Sequence, residues 1–315
     1  MDIVKTTLAY LTALSLAFVA AGCKRNVEEK ATPEESSREA ALVKTPNVAG
    51  MFYPDDATEL AKAVEGRLAE AEASLPAASV VAIVTPHAGY EYSGGVAAVA
   101  FRQLEGRNPA TVVLLGPSHY HAQPAIAAAA YDGYETPLGV AEVDGELVAE
   151  VAKRCPDVTY ADAPFDREHC LEVQLPFVQT LFPRARVAPF IFCHHDAETG
   201  ERFGKALSEA VAARASDIII VTTCDLSHYH PYDEAVKLDR AFVVTFERFD
   251  VGELYAGLAK GRFEIDAAGP VTATFRCAEA LGATKAVALE YKNSGDVTGD
   301  VSRGVVGYVA AAVVK

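Results

Sequence analysis

Four short apolar runs limit what this chain can fold into. They read SVVAIV (79–84), TVVLLG (111–116), RVAPFIF (186–192) and DIIIVTT (217–223). Each is rich in β-branched or aromatic residues and is apolar at consecutive positions. A strand with one wet face alternates, whereas a strand apolar on both faces lies between two layers. Helical periods separate the runs: 57–73, 95–104, DGELVAEVAKRC (144–155) opened by an Asp cap, EHCLEVQLPFVQTLF (168–182) unless Pro176 kinks it, and AETGERFGKALSEAVAARA (197–215). AIAAAAY reads as a further strand, residues 234–282 are mostly helical, and AVALEYKN and VVGYVAAAVV close the chain as strands. The expectation is an α/β fold: a layered domain whose central mixed, largely parallel sheet is flanked by helices. With 315 residues, half of them apolar, one large domain or two smaller ones can be built.

The N-terminus carries a different signal. MDIVKTTLAYLTALSLAFVAAGC has Lys5, an uncharged and mostly apolar run to Gly22, three small residues and then Cys23. The run is short for a membrane span, which takes about 20 apolar residues. It resembles the lipobox of bacterial lipoproteins, in which cleavage leaves the cysteine lipidated. The expectation is a signal peptide over 1–22, a flexible tether over 23–44 starting at lipidated Cys23, and one domain over 45–315. An ordinary signal peptide or an uncleaved anchor is the alternative. Lys24 rather than Asp after the cysteine favours the outer membrane facing the periplasm, or the cell surface. Five cysteines remain after Cys23, an odd number without a CxxC spacing, so no pairing follows from sequence.

Charge narrows the partners. Asp and Glu number 43 against 28 Lys and Arg, a net charge of −15 with no basic stripe. That excludes nucleic acid, whose phosphates require clustered cations.

The histidines are not scattered. His87, His119 with His121, His194 with His195, and His228 with His230 each follow one of the four apolar runs. In an open α/β sheet the ligand crevice lies beyond the carboxyl ends of the strands, so these imidazoles are expected to share one site. Neutral imidazole is the commonest protein metal ligand. Two histidines with one carboxylate and open positions is the facial arrangement of non-haem Fe(II) sites, and an Asp–His pair also serves general base chemistry. GxGxxG, the P-loop and GxSxG are absent from the sequence. CHHD at 193–196 reads either as a second soft-metal site or as a variable loop.

Six stretches in order, PNVAGMFYP, PHAGYEYSGGVAA, LLGPSHYH, YETPLGVAEVD, EHCLEVQLPF and CDLSHYHPYD, resemble the Memo family, whose bacterial members are called AmmeMemoRadiSam system protein B. The resemblance spans about Pro46 to Val314. It implies a fold like that of class III extradiol dioxygenases, metal binding (iron, or copper) and a redox role. It places the first two metal ligands on His87 and His119. The third, usually a cysteine in a CGxGP-like motif, falls within IDAAGP on Asp266, so that a harder two-histidine, one-carboxylate set replaces a thiolate. Asp225 and His228 match a pocket motif and, with Glu168 and His169, are expected to line the pocket or handle protons. The readings that follow are a metal-binding oxidoreductase, a non-catalytic metal-handling lipoprotein, a module binding a small molecule or peptide, and a metal-dependent hydrolase.

Overall fold

The computed structural model describes residues 41–315. The expected signal peptide, Cys23 and most of the tether lie outside the described residues. Twelve strands occur among the described residues: β1 (Val43–Lys44), β2 (Val80–Thr85), β3 (Thr111–Pro117), β4 (Ile126–Ala128), β5 (Gly133–Thr136), β6 (Gly139–Glu142), β7 (Val158–Tyr160), β8 (Arg186–Phe192), β9 (Ile218–Thr223), β10 (Asp225–His230), β11 (Lys285–Asn293) and β12 (Val305–Val314). The first of them starts inside the last residues assigned to the tether.

The four apolar runs become β2, β9, β3 and β8, adjacent and parallel in that order. Their side chains divide by parity. Val113 and Leu115 enter the core on one face, and Val112 and Leu114 the core on the other. The first core is covered by helices that include Ala197–Val211, Tyr232–Phe246 and Ala268–Ala280, and the second by Ala57–Glu70, Gly94–Arg102 and Leu175–Leu181. This is the layered α/β architecture the runs require, since a strand buried on both faces needs a helical layer on each.

The sheet is mixed because of β12. It runs antiparallel to β11 along its length, while its other edge is shared: Ala311–Val314 pair with β2 and Val305–Tyr308 pair with β10. Strand β9 is parallel to β2, and its continuation β10 passes across the end of β2 to reach β12. Residues just beyond β2 are thereby roofed by β10. On the other side β4 adds antiparallel to β8, and β7 parallel to β4. A separate sheet of β1, β5 and β6 includes the hairpin around YETPLGVAE.

Two expectations are refined. CDLSHYH, given no element of its own in the sequence and placed only after the 217–223 strand, forms β10, because β12 offers an unpaired edge there. EHCLEVQLPFVQTLF does not make one long helix: a 3-10 turn over Glu172–Gln174 leads into Leu175–Leu181, with Pro176 in the first turn, where its missing N–H is harmless. The five described cysteines are all buried free thiols. None of the described helices is long and apolar enough to cross a membrane.

Candidate metal centre

Strand ends bring the site together. His87 follows β2, His119 follows β3, and Asp225 opens β10 just after β9. His169 arrives from the segment before the Glu172 turn, and Asp266 from just before helix Ala268–Ala280. Gly116 makes the crowding workable. A methyl there would lie 2.6 Å from Cys170 Sγ and 2.8 Å from Thr223 Cγ2.

His87 is 1% exposed. Its backbone N–H donates to Asp225 Oδ1 at 2.9 Å, and its Nδ1 lies 2.7 Å from Thr223 Oγ1. With Nδ1 engaged, Nε2 is the inward-facing atom. It lies 2.9 Å from Asp266 Oδ2 and 3.9 Å from Asp225 Oδ2. His119 is oriented in the same way by a carboxylate. Glu168 accepts the His119 backbone N–H at 2.8 Å and stands 2.9 Å from its Nδ1, which leaves Nε2 pointing inward, 3.7 Å from Asp266 Oδ2. Glu168 also accepts the N–H groups of His169 and Cys170. The His169 ring stacks on His119 with centroids 4.7 Å apart and packs edge-on to His87 at 5.6 Å and to Phe52 at 5.0 Å.

One nitrogen from each of His87, His119 and His169 lies within 4.8 Å of the others, the spacing of a site that could hold a metal ion. The donors fit such an ion on a further ground. His87 Nε2 and Asp266 Oδ2 are buried, close together, and lack a hydrogen bond of proper geometry. A buried imidazole and carboxylate set face to face at 2.9 Å share a cation between them, either a proton or a metal ion.

The charges are arranged accordingly. Burial would raise the Asp266 carboxyl, but His87 and His119 reverse that and hold it well below the usual carboxylate range. Burial keeps Asp225 above its usual value despite His87, so the two neighbouring carboxyls are pushed apart. Glu168 is lowered to about 2, because its bonds to His119 outweigh burial. His169 is lowered to about 4 by burial and by His87, which keeps its imidazole neutral. Burial opposes charge on His119, yet Asp266 and Glu168 raise it to about 10.

A cleft of about 570 Å³ is lined by His87, His119 and His169 together with Asp225, His228 and Tyr308. His228 Nδ1 lies 2.8 Å from Leu226 O, which occupies that nitrogen. The expected site residues Glu168, His169, Asp225, His228, His87, His119 and Asp266 are therefore gathered in one region. Three of the other strand-end histidines make their contacts away from the cluster. His121 is exposed, His230 pairs with Glu264 at 2.9 Å, and His194 Nε2 faces Gln123 at 3.1 Å. CHHD is a connecting loop whose Asp196 caps helix Ala197–Val211. Its His195, half-buried, borders the cluster: burial holds its pKa below the usual value, and Asp266 and His119 are the charges that act on it most strongly.

The sequence reading missed the supports. Gln174 Nε2 donates to Pro86 O at 2.9 Å, next to His87. Glu172 accepts from Asn47 N, Val48 N and Tyr53 Oη, fixing the strap that carries Phe52 to His169. Polar residues at buried spacing within an apolar segment, as in EHCLEVQ, were the available signal.

The family model described as Memo-like protein matches residues 44–312. A MEMO1 family protein of Methanopyrus kandleri is 34% identical, covering 85% of this chain and 98% of its own length. One from Aquifex aeolicus is 37% identical over 85% of this chain and 97% of its own length, and one from Ignicoccus hospitalis is 36% identical over 85% and 98%. The match takes in the central sheet, all but the last two residues of β12, and every residue of the metal centre, and on that ground the chain belongs to the Memo-like protein family.

Proposed function

We propose that this protein is an Fe(II)-binding oxidoreductase of the Memo-like family, held at a membrane by a lipid on Cys23. The observation that supports metal binding is the three-imidazole cluster of His87, His119 and His169, with the buried Asp266 carboxylate 2.9 Å from His87 Nε2. His87, His119 and Asp266 make a two-histidine, one-carboxylate set that suits Fe(II) better than a soft ion such as Cu(I). The ion, when bound, would supply open coordination positions for O2 or a substrate oxygen. The chain supplies the rest. Thr223 and Glu168 fix the imidazole orientations, neutral His169 stacks on His119 beside the centre, and Asp225 with His228 faces the cleft as a proton-handling pair.

Elemental analysis of protein purified without oxygen is the direct test. One iron per chain is expected, together with loss of at least about 100-fold in affinity for Asp266→Ala or His87→Ala. Unchanged iron content in Asp266→Ala would sink the ligand assignment. Iron that exchanges rapidly without O2 consumption would favour a metal-handling role instead. Lipidation rests on the run before Cys23, and radiolabelled palmitate that enters wild type and Cys23→Ser alike would remove it.

A further inference from the structure

We propose that Asp239, buried outside the cleft, is the positioning residue for His228. It clamps a bulge in β10 that puts His228 on the same face as Asp225. The proposal rests on the Asp225–His228 pair assigned above and names what holds that pair together.

The spacing of the pair is the starting point. Successive side chains of a strand face opposite ways, so residues three apart lie on opposite faces. Asp225 and His228 are three apart in β10, yet both line the cleft. The pairing with β12 explains it. Asp225 is opposite Tyr308 and His228 is opposite Val306, so Leu226 and Ser227 together face only Gly307. An extra residue in one strand is a β-bulge, which re-aims the side chains beyond it and leaves a backbone group without a ladder partner. Leu226 turns into the apolar core, and the irregularity runs on to Tyr229, whose φ is 61°.

Asp239 supplies the missing partner. It lies on helix Tyr232–Phe246, on the buried face shared with Ala235, Phe242 and Phe246. A carboxylate at such a core position is costly unless its oxygens are bonded. Its Oδ1 accepts the Ser227 backbone N–H at 3.0 Å, and its Oδ2 accepts the Tyr291 hydroxyl at 2.8 Å. Tyr291 belongs to β11, so the carboxylate ties the bulge to the strand on the far side of β12. Gly307 completes the arrangement, since a side chain there would collide with the Asp239 carboxylate. The extra residue of β10, the bare position of β12 and the carboxylate of the helix thus meet at one point. His228 comes next in the chain. Its Nδ1 lies 2.8 Å from Leu226 O, inside the bulge. A carbonyl only accepts, so the proton sits on Nδ1 and Nε2 is left for the cleft.

The tautomer of His228 is the readout, because a carboxylate that merely stabilised the fold would not set it. The full chain, metal-free and labelled with nitrogen-15 histidine, is studied by long-range proton–nitrogen correlation at mildly alkaline pH, with His228→Gln to assign the signals. Wild type and Asp239→Asn should both carry the proton on Nδ1, since the amide oxygen still accepts from Ser227 N–H. Asp239→Ala should lose that pattern and give the Nε2–H form usual for an imidazole in water. Deuterium exchange of the Ser227 amide is the second measurement, and it should be at least about 10-fold slower in wild type than in Asp239→Ala. A folded Asp239→Ala that keeps the Nδ1–H signature overturns the positioning role and leaves the Asp225–His228 pair standing. An Nε2–H signature in wild type overturns the proposal and the placement of His228 with it. If Asp239→Ala does not fold, the wild-type Ser227 amide decides: protection supports the clamp, and exchange as fast as that of an open peptide overturns it.

Discussion

Glu168 shows how one residue can set the character of a site without touching its centre. Its carboxylate gathers the backbone N–H groups of His119, His169 and Cys170 and also the His119 side chain, so a single acidic group fixes one ring directly and the backbone that carries a second. A carboxylate behind a metal-binding imidazole fixes its tautomer and strengthens its basicity. Glu168→Gln keeps the shape and one acceptor but gives up the charge. We expect metal affinity to fall about 10-fold to 100-fold, read by competition with a chromophoric chelator. A change under about twofold would reduce Glu168 to a cap on its own turn. The sequence named this residue but not its task, because a glutamate at the start of an apolar segment looks the same whether it caps that segment or reaches across the fold.

Among elements, the parallel strands were legible and the supports were not. Burial on both faces writes an unbroken apolar run, and a run of six or seven residues bounded by Gly, Pro or polar residues can be read locally. Strand β10 is the opposite case. Asp225, Ser227, His228 and His230 give it no apolar alternation, and it exists because β12 is longer than β2 and leaves an edge to pair. Pairing of that kind is a tertiary fact. The strap from Asn47 to Tyr53 is likewise unreadable on its own. Gly50 N donates to Tyr53 O and Met51 N to Val48 O, so it is a self-closed turn, and what seats it is Glu172, more than a hundred residues away in sequence. The site follows the same rule. Histidines after strands could be seen to converge, whereas the choice of His169 over His121 and His230 depended on which loops fold inward.

At the scale of the whole molecule, the site needs the strand ends held in register, and the far end of the sheet is where that register is anchored. Asp144, with no side-chain exposure, joins four parts of the fold there. It caps helix Gly145–Arg154 through Leu147 N, accepts from Thr111 at the start of β3, and pairs with Arg186 at the start of β8 at 3.4 Å and with Arg214 at 3.2 Å. Burial alone would raise its pKa, but the bonds to Thr111 and Leu147 and the two arginines lower it below the usual carboxylate value. The sign of the pH effect follows. A carboxyl with a lower pKa folded than unfolded binds fewer protons in the native state, so its stabilisation is complete above the unfolded value of about 3.9 and is lost as pH falls through the folded value. Asp144→Asn retains the size and one acceptor, and should destabilise the protein by about 2–4 kcal/mol at pH 7 because two arginines and a cap lose their anion. The stability gap between wild type and Asp144→Asn, measured by urea unfolding, should stay constant from pH 7 to about pH 5 and shrink below about pH 4. A gap independent of pH down to 3 would mean that Asp144 acts through shape alone. A gap that widens on acidification would contradict the lowered pKa itself.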